Sequence, residues 1–571
     1  MTTAMYPQYS QQFAAMPAST VARQNAAIVF APEDYSASAA DPVGRAVAGF
    51  GFLRAFAKYA QVGEFFGCPV RQDAEQGFLD AIGRWGKGQA CHLADVRRHD
   101  VLSSIGCLYR PDPLIGSHAW ARQMEGASSA WSICGITHTT ASTQVMGGIA
   151  DWAIAPVQPW DAVICTSHSV KAMVVNVLET HEDYLRERLG ASRKVRPQLP
   201  VIPLGVAAED FRFSEAERQR AREELGLSPQ AIAVLFVGRL SYHDKAHPLA
   251  LYQALEAAAS GREVVLIECG WHADATISRA FSDAAAAACP SIRTVQVDDR
   301  NVARRQSAWR AADIFTSLSD SIQETFGLTP VEAMAAGLPV VVSDWDGYKD
   351  TVRDGVDGFR IPTYTPASGS GIDLGQRHAL SMDNYDMYCG YVGQLVAVDI
   401  AAAARAFRML FEDAGLRKRI GAAGRQRVAE CFDWKTIIPC YQDLWAELAL
   451  IRKHAASVDK NESPRVYPDH MDPFHLFSSY PTAQLSSDVH LARVGEDARL
   501  RLARWRALDM VAFAEGLFPT SEECEAVLRQ FDRKAVIAAR ELVAGIDEAR
   551  RPWVFRGLAW MVKMGVLKLV N

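Results

Sequence analysis

Short apolar segments alternate with helical patterns through most of the chain, in two series separated by a charged stretch. The first series is Ala26–Phe30, Ser132–Ile136, Ala162–Cys165 and Val201–Ile202. The second series is Ala231–Gly238, Val264–Ile267, Thr294–Val297, Asp313–Thr316 and Val340–Ser343. Brief apolar strands separated by helices are typical of parallel sheets that helices cover on both faces. The alternation therefore predicts an α/β protein with two doubly wound parallel-sheet domains that face a cleft.

The domain boundaries follow from interruptions of this pattern. The charged stretch Phe211–Gln230 places the boundary between the two sheets near residue 206. We expect a disordered tail at 1–25, a first domain at 26–205 and a second domain at 206–425. Residues 364–397 carry Pro, Ser, Gly and Tyr and are predicted as a loop insertion. Residues 456–571 are predicted as a mainly helical appendage of domain size.

The composition excludes several classes of protein. A net charge of -6 over 571 residues lacks the basic surplus of a nucleic-acid-binding protein. The eleven cysteines form no CxxC pair and no cluster with histidine, which indicates reduced thiols in a cytoplasmic protein. Residues 1–25 lack a secretory signal, and no window holds the roughly 18 consecutive apolar residues of a spanning helix. We expect a cytoplasmic protein without a transmembrane segment or a nucleic-acid partner.

The stretch Glu324–Pro339 carries the most specific pattern in the chain. Thr329 is predicted as a helix N-cap with Pro330 in the first helical position, because Glu332 would complete a capping box. Gly337 is predicted to end the helix in the left-handed conformation, with proline beyond it. A short helix is therefore expected from residue 330 to the strand at residue 340.

A ligand site is predicted just ahead of this helix. Gly327 lets the backbone approach a ligand closely, and the free N–H groups of residues 327–331 suit a diphosphate. Two interpretations stay open for the glutamates taken singly. Glu332 is explained by helix capping alone, and Glu324 by a solvated loop carboxylate.

The whole string resembles the E-x7-E signature of retaining glycosyltransferases of family 4, which have the GT-B fold of two Rossmann-like domains. The similarity runs over about residues 26–450. It implies that Glu324 binds hydroxyls of the donor sugar and that Glu332 binds the ribose of the nucleotide. It further implies donor contacts from the segment Phe326, Gly327, Leu328 and Thr329.

A second motif, Phe236–Lys245, follows the first strand of the second series. Arg239 stands at the carboxyl end of that strand, where open α/β sheets bind ligands. Surface charge is the alternative explanation for Arg239 and Lys245. The motif resembles the GRL...K element of the family, which implies that both bind the donor diphosphate and offset charge on the leaving nucleotide.

The first domain supplies three further candidates. His138 follows the strand Ser132–Ile136 and resembles the family histidine that faces the donor sugar, although a structural histidine is the alternative. Gly44 is expected to let the backbone approach the donor phosphates, in a loop that departs from the family's GG pattern. Arg45 is an alternative contact, to the acceptor.

No metal and no cofactor are expected. Asp344-Trp-Asp346 looks like the DxD of metal-dependent glycosyltransferases. The resemblance places it instead at a Gly-containing loop, and Arg239 and Lys245 already supply positive charge. Phe432–Trp434 and the helix after it resemble the closing helices of the family, expected at 426–455, which cross back to the first domain.

The resemblance implies a retaining, metal-independent glycosyltransferase that moves a hexosyl group from a UDP-, GDP- or ADP-sugar to a saccharide or lipid-linked saccharide acceptor. Bacterial polysaccharide or glycoconjugate biosynthesis is the expected context. A phosphorylase, a sugar-nucleotide hydrolase and a catalytically inactive scaffold are the alternatives. Two interpretations stay open for segments 43–60 and 554–570. Each is either in peripheral contact with the inner face of the membrane or packed inside the protein. Self-association through residues 456–571 also stays open.

Overall fold

The computed structural model describes residues 23–36, 44–458 and 465–570. Most of the predicted tail at 1–25 lies outside the described residues. The chain divides into two compact units, Met1–Tyr467 and Pro468–Asn571.

The first unit begins with a six-stranded parallel sheet in the order β3-β2-β1-β4-β5-β6. Its strands are β1 (Ala27–Phe30), β2 (Glu64–Pro69), β3 (Ala90–Leu93), β4 (Cys107–Tyr109), β5 (Ser132–Ile136) and β6 (Ala162–Ile164). Its helices are α1 (Gly44–Tyr59), α2 (Glu75–Trp85), α3 (His99–Ile105), α4 (Gly116–Met124), α5 (Thr143–Asp151) and α6 (His168–Leu189). The strand order reverses between β1 and β4, which opens a crevice at their carboxyl ends.

A second six-stranded parallel sheet follows in the order β12-β11-β10-β7-β8-β9. Its strands are β7 (Ile232–Val237), β8 (Val264–Cys269), β9 (Arg293–Val297), β10 (Ile314–Ser317), β11 (Val340–Ser343) and β12 (Gly358–Ile361). Its helices are α7 (Glu215–Glu224), α8 (Leu249–Ala259), α9 (Ala275–Ala288), α10 (Val302–Ala311), α11 (Leu328–Ala336) and α12 (Tyr348–Thr351). The predicted fold class, a GT-B arrangement of two doubly wound parallel sheets, is confirmed.

The two predicted series of segments omit the strands β2, β3, β4 and β12. β4 has three residues, and β3 is an edge strand whose side chains are mostly exposed. Neither carries the continuous apolar run by which buried parallel strands are recognised. The strand predicted at Val201–Ile202 is reduced to an isolated bridge between Val201 and Cys165.

The loop prediction for residues 364–397 is wrong. This segment holds two helices, α13 (Ile372–Ala379) and α14 (Tyr385–Gly393), which we call the helix pair. An antiparallel pairing of β13 (Thr363–Tyr364) with β14 (Ala397–Val398) closes its base. Asn384 caps α14 by accepting the Met387 N–H, and Arg377 pairs with Asp383 at 2.6 Å, so local contacts stabilise both helices.

The chain connects the two sheets at two neighbouring places. After α15 (Ile400–Glu412) and α16 (Ala414–Arg427), the last long helix of the unit is α17 (Trp434–Val458). Val206 in the first connection donates its N–H to the Phe432 carbonyl at 2.8 Å and accepts the Trp434 N–H at 3.2 Å. A Cβ on Gly205 would lie 2.3 Å from the Trp434 ring. Glycine is needed there because the indole packs directly on the backbone.

Helix α17 returns to the first sheet and packs on α1. The rings of Tyr441 and Trp445 lie 5.3 and 5.8 Å from those of Phe52 and Phe56, respectively. The three basic residues of α1 each pair with a carboxylate of the same unit: Arg45 with Asp34, Arg54 with Asp210, and Lys58 with Glu209. Helix α1 therefore covers the sheet, which favours packing over membrane contact for segment 43–60.

The second unit combines a three-stranded antiparallel sheet, in the order β16-β15-β17, with six helices among its described residues. The elements are α18 (Pro473–Leu476), β15 (His490–Arg493), α19 (Ala498–Arg506), α20 (Asp509–Ala512), α21 (Ser521–Gln530), β16 (Ile537–Ala538), α22 (Ala539–Ala544), α23 (Arg551–Lys563) and β17 (Leu567–Val570). Val554, Leu558 and Met561 are buried in its core, so segment 554–570 packs inside this unit. Within the described parts of the chain, no helix is long and apolar enough to span a membrane.

Candidate active site

The carboxyl ends of the two sheets meet inside the first unit. Thr325, in the loop after β10, donates its hydroxyl to the His138 carbonyl at 3.0 Å. Thr166, after β6, donates its hydroxyl to the Thr325 carbonyl at 3.3 Å. The loops where α/β sheets bind their ligands are therefore within hydrogen-bonding distance of one another.

The N-cap prediction for Thr329 is wrong. Helix α11 begins at Leu328, and its N-cap is Gly327, which takes a left-handed φ of 82°. A Cβ on Gly327 would lie 2.0 Å from the ring of Tyr348, so this ring leaves room only for glycine. Because Thr329 lies inside the first turn, Glu332 completes no capping box. The predicted helix end is confirmed, since Gly337 has a φ of 79°.

Glu332 thus needs an explanation other than helix capping. Its side chain is partly buried, and burial raises its pKa to about 7, against the opposing influence of Arg305. A carboxyl group with this pKa is present in both protonation states near neutral pH. It can therefore donate a hydrogen bond as well as accept one.

Glu324 is the centre of a cluster that joins the loop after β7, the loop after β10 and the start of α12. Its Oε2 accepts hydrogen bonds from Lys245 Nζ at 2.8 Å and from the Tyr348 hydroxyl at 3.3 Å. The Tyr348 hydroxyl is also 2.8 Å from Ser317 Oγ. Burial alone would raise the pKa of Glu324, but the Lys245 ammonium lowers it below its usual value. Glu324 is therefore an ionised, positioned carboxylate, and the interpretation of it as a solvated loop residue does not hold.

The loop that carries Arg239 and Lys245 is held by side chains that sequence analysis missed. Ser319 donates its hydroxyl to the Lys245 carbonyl at 3.1 Å, and Ser321 donates its hydroxyl to the Asp244 carbonyl at 3.2 Å. Gln323 donates its amide to the same Asp244 carbonyl. The signal in the sequence is the alternation of these three residues immediately after β10.

Arg239 pairs with the carboxylate of Asp244. The side chain of Asp244 is 2% exposed and that of Arg239 is 31% exposed. Four of the five guanidinium N–H donors lie outside this single contact, which leaves Arg239 able to bind phosphate oxygens at the same time.

His138 lies at the end of β5 on the side of the first sheet. Burial lowers its pKa to about 4, and the charge of Arg45 acts in the same direction. The imidazole is therefore neutral at physiological pH. Arg45 itself pairs with Asp34 at 3.0 Å.

Two predicted donor contacts have restricted roles. The Phe326 side chain is 1% exposed and packs against Phe432, so only its backbone is available to a ligand. Gly44 begins α1, and a Cβ there would meet no atom within 4 Å. Its position does not itself require glycine.

The carboxylates of Asp344, Asp346 and Asp350 have different partners. Asp346 accepts the Ser167 hydroxyl at 2.9 Å, and Asp350 accepts the His168 N–H at 2.7 Å. Asp344 lies 3.4 Å from Arg360. Burial raises the pKa of Asp346 to about 8. Asp346 and Asp350 therefore connect the second sheet to the first.

Parts of the chain are similar to known proteins. The family described as "Glycosyl transferases group 1" matches residues 217–370. The D-inositol 3-phosphate glycosyltransferase of Nocardia farcinica is 32% identical over 220 residues, which cover 36% of this chain and 46% of that protein. The phosphatidyl-myo-inositol mannosyltransferase of Mycobacterium tuberculosis is 34% identical over 165 residues, which cover 29% of this chain and 40% of that protein. The chain thus spans less than half the length of these two relatives.

Solved structures with a similar fold include a sucrose-phosphate synthase and a glycosyltransferase. A sucrose-phosphate synthase from Thermosynechococcus elongatus is 19% identical, covers 75% of this chain and all of its own, and has a TM-score of 0.46. A glycosyltransferase from Rickettsia africae is 14% identical, covers 75% of this chain and 98% of its own, and has a TM-score of 0.48. Residues 217–370, the segment that matches the glycosyl transferases group 1 family, hold both Glu324 and Lys245.

Proposed function

We propose that the protein is a retaining, metal-independent glycosyltransferase that uses a nucleotide-diphospho-sugar as donor. One observation carries the proposal. Glu324, in the loop ahead of the N-terminus of α11, forms a 2.8 Å pair with Lys245 from the loop after β7. The next residue, Thr325, donates its hydroxyl to the His138 carbonyl. A carboxylate, an ammonium group and free helix N–H groups together suit a sugar diphosphate.

In this proposal the diphosphate binds between the Arg239–Lys245 loop and the start of α11. Lys245 uses one of its N–H groups on Glu324, which leaves two for phosphate oxygens. The backbone N–H groups of Leu328 and Thr329 are in the first helical turn and lack partners within the helix. Glu332, one turn further, binds the ribose hydroxyls.

The arrangement of Glu324 supports a role in binding rather than as a nucleophile. Lys245 and Tyr348 both hydrogen-bond to the same oxygen, Oε2, which holds the carboxylate in one orientation. Glu324 would then accept hydrogen bonds from the donor sugar, and the neutral ring of His138 would contact that sugar from the first sheet. The leaving phosphate would itself take the proton from the acceptor hydroxyl.

The acceptor is proposed as a saccharide or a lipid-linked saccharide, in bacterial polysaccharide or glycoconjugate biosynthesis. The names of the two relatives cite D-inositol 3-phosphate and phosphatidyl-myo-inositol, which both present hydroxyl groups. A cytoplasmic location and activity without a cofactor belong to the same proposal.

The test is a screen of UDP-, GDP- and ADP-sugars for transfer and for slow hydrolysis, with and without EDTA. Glu324→Ala is expected to lose at least tenfold in turnover, on the order of one charged hydrogen bond. Glu187→Ala, on an exposed part of α6, is the matched control and should behave as wild type. Equal turnover by Glu324→Ala, loss of activity with EDTA, or an inverted anomeric product by NMR would each refute the corresponding part of the proposal.

A further inference from the structure

The helix pair, which follows the family-matched segment 217–370, contacts both halves of the first unit. His378 Nε2 lies 3.0 Å from the hydroxyl of Thr143, the first residue of α5. The His378 ring stacks on Tyr388 of the second helix, with centroids 4.1 Å apart. Thr143 is five residues after His138, so the helix pair reaches the loop that carries this histidine.

The same helix pair contacts the other side of the candidate site through Tyr385. The Tyr385 hydroxyl donates to Gln323 Oε1 at 3.2 Å. Gln323 uses its amide N–H on the Asp244 carbonyl, and the Asp244 carboxylate pairs with Arg239. Three contacts thus connect Tyr385, the first residue of α14, to Arg239, a candidate for binding the donor phosphates.

Each member of this relay is constrained by the next. Gln323 immediately precedes Glu324, and its amide is oriented because its oxygen and its nitrogen have different partners. Asp244 is nearly fully buried, so its carboxylate cannot move far from Arg239. Removal of the Tyr385 hydroxyl would leave the Gln323 oxygen without this donor and the amide held only through its nitrogen.

We propose, on the basis of the proposed function, that Tyr385 is a positioning residue for Arg239. It acts through Gln323 and Asp244. The helix pair thereby adjusts how tightly the site binds the diphosphate of the donor. Tyr385 does not touch the reacting atoms in this scheme, so its effect falls on binding and not on the chemical step.

The first test is titration calorimetry of the full chain with UDP, GDP and ADP in turn. Tyr385→Phe removes one hydroxyl and keeps the ring, so the dissociation constant of the nucleotide that binds wild type should rise about threefold to tenfold. Tyr391→Phe is the matched control, because this ring lies on the same helix and is 37% exposed. Tyr391→Phe should bind the nucleotide as wild type does. Both variants should have the melting temperature of wild type.

The second test is a double-mutant cycle with Arg239→Gln. If Tyr385 acts through Arg239, Tyr385→Phe should have no further effect on nucleotide binding in the Arg239→Gln background. The proposal is overturned if Tyr385→Phe binds as wild type does, if its full effect persists without Arg239, or if wild type binds none of the three nucleotides. Nucleotide binding without sugar transfer would instead refute the proposed function and leave the Tyr385 effect measurable.

Discussion

The Lys245–Glu324 pair predicts that one substitution will change donor-site binding and sugar transfer in opposite directions. Glu324→Gln keeps the size of the side chain and removes its charge. Lys245 then loses its ionic partner, and a bound diphosphate loses a nearby like charge. Nucleoside diphosphate should bind more tightly, while transfer should become slower because the donor sugar loses a charged hydrogen-bond acceptor.

The two magnitudes follow from the geometry. With Lys245 Nζ 2.8 Å from Glu324 Oε2, a phosphate on the other side of the ammonium would lie about 6 Å from the carboxylate. Two unit charges at about 6 Å interact by about 0.7 kcal/mol in water and about 3 kcal/mol at an effective dielectric constant of about 20. Nucleoside diphosphate should therefore bind about threefold to 150-fold more tightly. One lost charged hydrogen bond, about 1.5–3 kcal/mol, should lower kcat/KM about tenfold to 150-fold.

The assay pairs calorimetry of the nucleoside diphosphate with initial rates of transfer from the intact donor. Raising the salt concentration should reduce the gain in nucleotide affinity only slightly, since Glu324 is 10% exposed. Weaker binding of the nucleoside diphosphate by Glu324→Gln would contradict the assumed proximity of Glu324 to the diphosphate. Wild-type transfer would contradict the role in sugar binding.

Three further predictions concern other parts of the first unit. Asp161→Ala should lower the free energy of unfolding by about 3–5 kcal/mol, measured by urea denaturation, because it leaves fully buried Arg122 without its carboxylate; a loss below about 1 kcal/mol would contradict this. Gly327→Ala should abolish transfer in initial-rate assays, since the added Cβ would overlap the Tyr348 ring at a φ of 82°, and an active variant would refute this account of the loop. His138→Asn should lower transfer without changing the shape of the pH–rate profile between pH 5 and 8. Burial lowers the pKa of His138 to about 4, so the ring stays neutral as the pH falls from 8 to 5. The prediction would be contradicted if the wild-type rate fell near pH 6.5 and this fall were absent from the variant.

The fold class was predictable because it depends on local patterns. The apolar runs of β7, β8 and β11 are fully buried, so each appears in the sequence as a continuous hydrophobic segment. The end of α11 was equally predictable, since a glycine followed by proline has few alternatives. The helix pair was not, because the polar segment that precedes α13 resembles a loop.

The start of α11 shows why site geometry is harder to predict. The threonine, proline and glutamate at 329, 330 and 332 fit a capping box, but the Tyr348 ring from a later helix occupies the space beside Gly327. Gly327 has a left-handed φ there, and the helix begins at Leu328. In the same way, Ser321 and Gln323 hydrogen-bond to the carbonyl of Asp244, which lies 77 and 79 positions before them. No local sequence pattern reveals such contacts.

The two connections between the sheets have a mechanical consequence. Val206 bonds to both Phe432 and Trp434, so the outgoing and returning chains form one joint rather than two separate tethers. If the two halves rotate relative to one another, the atoms near this joint move least and the atoms far from it travel furthest. Gly205, where an added methyl group would press on the Trp434 ring, is the position at which a small substitution should disturb the packing of this joint.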